Sequence, residues 1–351
     1  MILQKSGLLF STLVTLAVGL PVESQERDEN WVQIPTASGE MIWIHRLAIH
    51  NQPRLKMDFF ESDVEFVFCS RNEPTGRIFR LDNLEYLHDE VFDGSHPTRV
   101  LVHGWLNDRH SPMNVNIRDA YLIGWDYNVV IVDWSKCAKR LNYVTVASCV
   151  RTVGKLLAKM LESLRTLKGL SLDDVYLIGH SLGAHAAGIA GKSIRRGNLS
   201  TIIALDPALP LFSLNDVENR VDIDDAALVQ VIHTNGGFLG FMDPLGMADF
   251  YPNGGSTQPG CGLNFAGICA HSRAWQLFLE TLMEPEEHLI AQRIYVLQET
   301  PAVEKKNAIG TKIGGEPSSQ ATGLYYINTN SQSPYFWPSK NIRNLKLIQH
   351  N

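Results

Sequence analysis

Beyond residue 24 the sequence has no long hydrophobic run, so nothing there supplies the roughly 20 consecutive apolar residues of a membrane-crossing helix. It also lacks C-x-x-C and H-E-x-x-H, the spacings by which most zinc sites are recognised, which argues against a catalytic zinc. A basic field is missing too. The net charge is −6, and the pairs Arg195-Arg196 and Lys305-Lys306 are too short to attract a nucleic acid. No internal repeat or low-complexity tract interrupts the chain, which excludes solenoids and arrays.

What is present points to an exported globular protein. Residues 1–24 carry one early cation, Lys5, then an uncharged apolar run from Gly7 to Val22, with small residues at Gly19 and Ser24. That is the pattern of a secretory signal peptide, too short for an anchor. A hydrophobic content of 44% supports a sizeable core. Five cysteines in an exported chain suggest two bridges and a leftover thiol. Cys137 with Cys149, and Cys261 with Cys269, can each close a short loop, leaving Cys69. The sequon Asn198-Leu199-Ser200 can carry a surface glycan.

Residues 25–60 read as a polar N-terminal arm, irregular apart from Met41 to Ile44, and 339–351 as a C-terminal tail. Between them, 61–338 alternate strand and helix patterns. Val64 to Phe68 alternates like a half-exposed strand. Arg99 to Val102 and Val129 to Val132 are continuous apolar runs, expected of strands covered on both faces. Between Ser148 and Leu167 apolar residues recur at helical spacing. The strands Val175–Ile178, Thr201–Leu205 and Leu228–Ile232 follow, and Gly323 to Ile327 reads as the last one. This alternation predicts an α/β fold with a mainly parallel central sheet wrapped by helices.

The chemistry concentrates at LIGHSLGAHAAGIAG, residues 177–191, where Gly179-His180-Ser181-Leu182-Gly183 forms G-x-S-x-G. The bare pattern also describes an ordinary Gly-Ser turn. Here a β-branched apolar strand precedes it and a run of small residues suited to a close-packed helix follows, the context in which the serine is a nucleophile. An activated serine needs a base and an acid that orients the base, in chain order Ser, Asp or Glu, His for this architecture. Asp206 ends the run Thr201 to Leu205 and precedes Pro207, where an orienting carboxylate belongs. For the base, His233, His271, His288 and His350 all follow Asp206. The cysteine-tethered loop position favours His271, with His233 at a strand end as its rival. An oxyanion would find backbone N–H donors at Leu182 and, from the loop Val102-His103-Gly104-Trp105, at Trp105. His103 beside it reads as structural. Ala186 to Ser193, AAGIAGKS, imitates a phosphate loop but lacks its first glycine and falls inside the helix, so that reading is rejected.

VHGW (102–105), VDW (132–134), LIGHSLGAHAAGIAG (177–191), ALDPA (204–208), VIHTNGG (231–237), ADFYPNGG (248–255) and CAHSRAW (269–275) together resemble the animal, pancreatic-type lipase family. The resemblance runs from about Val64 to Pro334. It implies an α/β-hydrolase fold, a triad of Ser181, Asp206 and His271, oxyanion donors at Trp105 and Leu182, and hydrolysis of a lipid ester without an organic cofactor. It also implies the Cys261–Cys269 bridge. A family calcium site would use the Arg220 carbonyl, Asp222 and Asp225. A further family carbonyl ligand, usually from a glutamate, falls near Val217 or Glu218, so that match is incomplete.

Two departures refine the expectation. No C-terminal β-sandwich follows, and the lid is cut to Gly262 to Ile268 between its cysteines, with a short loop from Gly236 to Ala248. Among family members, these lengths resemble the secreted phospholipases A1. The sequence therefore predicts a secreted, peripheral enzyme that cuts the sn-1 ester of phospholipids. A triacylglycerol or galactolipid lipase is the alternative, and a non-catalytic, yolk-protein-like lipid binder the third reading.

Overall fold

The computed structural model describes residues 31–35, 41–45, 59–194, 199–262, 267–283, 289–297, 300–302, 310–316, 318 and 320–336. The signal-like segment 1–24, the tail 339–351, His288, His350 and the sequon residue Asn198 lie outside them. In the arm, the excepted stretch Met41 to Ile44 lies in β2 (Met41–His45), which pairs antiparallel with β1 (Trp31–Pro35), where irregular chain was expected. Ile42 of this hairpin rests on the core.

The first strands of the main sheet are β3 (Glu65–Cys69), β4 (Arg77–Phe79), β5 (Thr98–Val102) and β6 (Asn128–Asp133). Next come β7 (Val175–His180), β8 (Thr201–Leu205), β9 (Leu228–Ile232) and β10 (Ala248–Pro252). The last are β11 (Ile290–Leu297), β12 (Thr300–Ala302), β13 (Gly310–Lys312) and β14 (Gly323–Ile327). Their order is β12-β11-β14-β10-β9-β8-β7-β5-β6-β3-β4, with β13 also on β11. The stretch from β6 to β14 is parallel throughout. Antiparallel strands close both ends.

Helices cover both faces. Side chains alternate across a strand, so Val100, Val102, Val130 and Val132 pack on one side, with Val146, Val153 and Leu157 of a long helix. Leu101, Val129 and Ile131 pack on the other, with Ile117, Tyr121, Leu277 and Phe278. The helices are α1 (Pro112–Gly124), the short α2 (Ser135–Ala138), α3 (Tyr143–Lys168), α4 (Leu182–Ser193) and α5 (Ile268–Thr281). Helix α3 starts ahead of its apolar stripe because Asn142 Oδ1 accepts from the Thr145 amide at 3.1 Å. It stops at Gly169, whose φ of 70° releases the chain.

Strand β3 corrects the sequence reading. It was expected to be half-exposed, yet Phe66, Val67, Phe68 and Cys69 are all buried. Phe66 and Phe68 enter one core, Val67 and Cys69 the other. Only Glu65 keeps the polar look, and it pairs with Arg80 and Arg109.

Candidate active site

Parallel strand ends bring the chemistry together. In register, His180 of β7 lies opposite Leu205 of β8, and Leu205 opposite Ile232 of β9. Ser181, Asp206 and His233 therefore leave the sheet side by side. Ser181 stands at the head of α4 with φ 58° and ψ −122°, a conformation that side chains other than glycine rarely adopt. Its amide donates to the Leu205 carbonyl at 3.0 Å. The flanking glycines are required by space: a Cβ on Gly179 would sit 2.4 Å from the Gly183 carbonyl oxygen, and one on Gly183 2.1 Å from that of Val102.

Asp206 is fully buried and points Oδ2 at His271 Nδ1, 2.5 Å away. Its other oxygen, Oδ1, accepts from the amides of Thr234 and Asn235 at 2.8 and 3.0 Å. These two donors hold the carboxylate in one orientation, and its acceptor oxygen requires the imidazole to carry hydrogen on Nδ1. Nε2 is then left as a proton acceptor. The His271 ring keeps 12% of its surface exposed.

Sequence reasoning missed the amides of Thr234 and Asn235, although the motif VIHTNGG contains them and strand register alone places them beside Asp206. It also missed His180, the residue before the serine. His180 Nε2 donates to the backbone carbonyl of His271 at 3.0 Å, and the two rings lie 4.6 Å apart. Burial, with the neighbouring His271 ring, lowers the His180 pKa to about 3, so this ring stays neutral.

The loop after β5 passes directly over the serine. A Cβ on Gly104 would meet Ser181 Cβ at 2.8 Å, so only glycine lets Trp105 follow so closely. The Trp105 indole is fixed by a 2.8 Å bond to the Arg140 carbonyl and an edge-on contact with Tyr143. The Leu182 amide is the first of α4, and the first amides of a helix have no partner within it. His103 is buried, stacks on Trp134 and holds that loop rather than facing the serine.

His233, the rival base, is fully buried and turned to Asp249, with Nε2 2.8 Å from Oδ1. Its Nδ1 faces the Phe241 carbonyl at 2.7 Å. Both ring nitrogens thus meet acceptors and both must donate, making this ring an imidazolium. Burial opposes the charge, but the bond and attraction to Asp249 outweigh it and the pKa is raised.

Cys137 is bridged to Cys149 and Cys261 to Cys269, with Cys69 buried as a free thiol. Residues 263–266 of the shortened lid lie outside the described residues. The calcium expectation fell on Arg220, Asp222 and Asp225. These lie behind α4, where Arg220 pairs with Asp222 and Asp225 pairs with Lys192. Among the described residues no helix is long and apolar enough to cross a membrane.

A phospholipase A1 of Vespula vulgaris is 36% identical over 229 residues, covering 61% of this chain and 68% of its own. Probable phospholipase A1 magnifin of Vespa magnifica is 35% identical over 263 residues, 68% of this chain and 78% of its own. Lipoprotein lipase of Gallus gallus is 31% identical over 324 residues, 83% of this chain and 65% of its own. The family model named Lipase matches residues 31–335. The chain therefore belongs to the lipase family, as an ester hydrolase on an α/β-hydrolase fold.

Proposed function

We propose that the protein is a secreted phospholipase A1, releasing the sn-1 fatty acid through an acyl-enzyme on Ser181. The observation that carries the catalytic part is the 2.5 Å contact of Asp206 with His271, beside a serine held in a positive-φ turn. Ser181 Oγ attacks the ester carbonyl while His271 Nε2 takes its proton. Asp206, kept in place by the Thr234 and Asn235 amides, stabilises the imidazolium that forms. The amides of Leu182 and Trp105 receive the oxyanion. The intermediate collapses, the lysophospholipid alkoxide leaves with the proton from His271, and water repeats the sequence to free the fatty acid.

The substrate class rests on four supports. The lid between Cys261 and Cys269 is too short to cover a long acyl chain. The loop Gly236 to Ala248 folds back onto the acid: the Leu209 and Phe241 amides tie it to 206–209, leaving room for a polar head group. Leu106 beside Trp105, Ile268 at the start of the helix that carries His271, and Phe238 and Met242 on the loop tied to 206–209 all stand exposed, as contact with a lipid surface requires. The Vespa and Vespula relatives bear the phospholipase A1 name. The two disulfides suit an oxidising compartment, in keeping with a cleaved N-terminal segment and a glycan at Asn198.

The test is fatty-acid release from phosphatidylcholine with distinguishable chains, beside a triolein emulsion and a galactolipid under the same conditions. Release of the sn-1 chain from phosphatidylcholine is expected to dominate. Dominant triolein hydrolysis with interfacial activation would make this a general lipase, and no release from any of them would favour the lipid-binding reading.

A further inference from the structure

Helix α4 begins at the serine turn and ends against the loop 217–225, which follows Asp206 in the chain. The approach there is close: a Cβ on Gly191 would lie 2.1 Å from the Asp225 carbonyl oxygen, and one on Gly188 2.6 Å from Asp225 Oδ2. Small residues in this helix serve that contact as well as the sheet. Into this contact α4 sends a single cation, Lys192. Its Nζ donates to the carbonyl oxygens of Val217 and Arg220 at 2.6 and 2.8 Å and meets Asp225 Oδ1 at 3.0 Å. An ammonium has three N–H donors, and these three acceptors use them all. Asp225 is 3% exposed and Lys192 18%, so water does little to weaken the pair.

These acceptors are the ones the family resemblance allots to calcium: a carbonyl near 217 or 218, the Arg220 carbonyl and Asp225. The fourth, Asp222, is turned away, its Oδ1 accepting from Arg220 Nη1 at 2.5 Å. Arg220 further braces the loop through the carbonyls of Ser213, Leu214 and Val221. Calcium requires six to eight oxygens at about 2.3–2.6 Å. Here an ammonium already engages three of them and a guanidinium the next, so a dication would enter beside two like charges. The residues present do not fit the metal.

We propose that Lys192 is the structural cation of this site, standing where the family places calcium, so that the loop is held to the nucleophile helix independently of divalent metal. The Gly-Lys-Ser segment that imitates a phosphate loop thereby gains a role: its lysine neutralises a buried carboxylate and two carbonyl dipoles. The role is conformational, so its test does not depend on the reaction catalysed.

The test compares thermal unfolding midpoints of the purified protein in EDTA and in millimolar calcium chloride, with calorimetric titration of calcium into the native chain. The wild type is expected to show the same midpoint in both and no saturable heat. Lys192→Met, which keeps the stem and removes the charge, is expected to lower the midpoint by roughly 5–10 °C, because Asp225 is left buried and unpaired. A wild-type midpoint that rises with calcium, or a saturable heat of binding, would overturn the proposal even if Lys192→Met failed to fold. A Lys192→Met midpoint equal to that of the wild type in EDTA would overturn it as well.

Discussion

His180 and His271 are joined by one bond: Nε2 of the first donates to the backbone carbonyl of the second, 3.0 Å away, while their rings lie 4.6 Å apart. The residue before the nucleophile therefore fixes the start of the helix that carries the base. His271 must point Nδ1 at Asp206 and Nε2 at the serine, so a shift of its backbone misdirects both. His180→Leu is expected to lower kcat by about 10- to 100-fold with KM little changed, the cost of a displacement on the order of 1 Å. His180→Gln, which retains a donor, should recover part of that loss. Equal kcat values for wild type and His180→Leu would show that the bond positions nothing.

Ser181 is held at the head of α4 by a strained backbone, and the strain can be measured. A φ of 58° with ψ of −122° costs a non-glycine residue on the order of 1–3 kcal/mol. Glycine relieves that strain but gives back about 0.5–1 kcal/mol through the freer unfolded chain. Ser181→Gly should thus be more stable than Ser181→Ala by about 1 kcal/mol in urea unfolding. Both should lose fluorophosphonate labelling and show turnover reduced by several orders of magnitude. Labelling that survived in either would move the nucleophile elsewhere.

The catalytic constellation was more legible in the sequence than the groups that support it. Ser181 and Asp206 announce themselves because each ends an apolar run at a sharp turn, a local signal. The supports of Asp206 are non-local: the Thr234 and Asn235 amides reach it only because β9 lies beside β8 in a particular register. No composition of VIHTNGG states that register. Strand β3 misled for a related reason, since one exposed-looking glutamate hid a strand covered on both sides. Asp225 shows the other limit. Its spacing fits a metal ligand, but its partner Lys192 lies far back in the chain, on a helix the loop meets only after folding.

His271 and its rival His233 can be separated by what their loss does. His271→Ala should cut turnover by roughly 10³–10⁶-fold with little change in stability, because the serine keeps only binding and the oxyanion donors. His233→Ala should do the opposite. It strips Asp249 of its cation in a fully buried site, which costs about 3–5 kcal/mol, while the nucleophile still labels below the lowered melting temperature. If His233→Ala lost turnover as fully as His271→Ala without loss of stability, the base would have been misassigned.

The last prediction concerns acid. His185, on α4, is fully buried, donates from Nε2 to the Ala208 carbonyl at 2.7 Å and accepts on Nδ1 from the Val221 amide at 3.1 Å. A proton on Nδ1 would set two donors against each other. Burial chiefly, and the nearby Arg220 and Lys192, lower its pKa to about 3, against 6.5 for a free histidine. Between those values the unfolded chain binds a proton that the folded ring refuses. Unfolding then takes up protons, and stability falls as pH drops from about 6.5 toward 3. His180, also lowered to about 3, contributes in the same direction. His233 has the opposite sign: its raised pKa means that its contribution is complete below 6.5 and is lost only as pH climbs through the folded value. Asp225, raised by burial to about 6, also opposes the fall, since its folded carboxyl takes up a proton before the unfolded one does. One carboxyl stands against two neutral rings, so acid loss of stability should follow the rings. Urea unfolding of the wild type from pH 7 to pH 4.5 should show a falling midpoint. His185→Leu, though less stable at neutral pH because two polar partners are orphaned, should show a shallower dependence, with proton uptake smaller by about one between pH 4 and 5.5. An unchanged slope in His185→Leu would mean that the acid sensitivity resides in other groups.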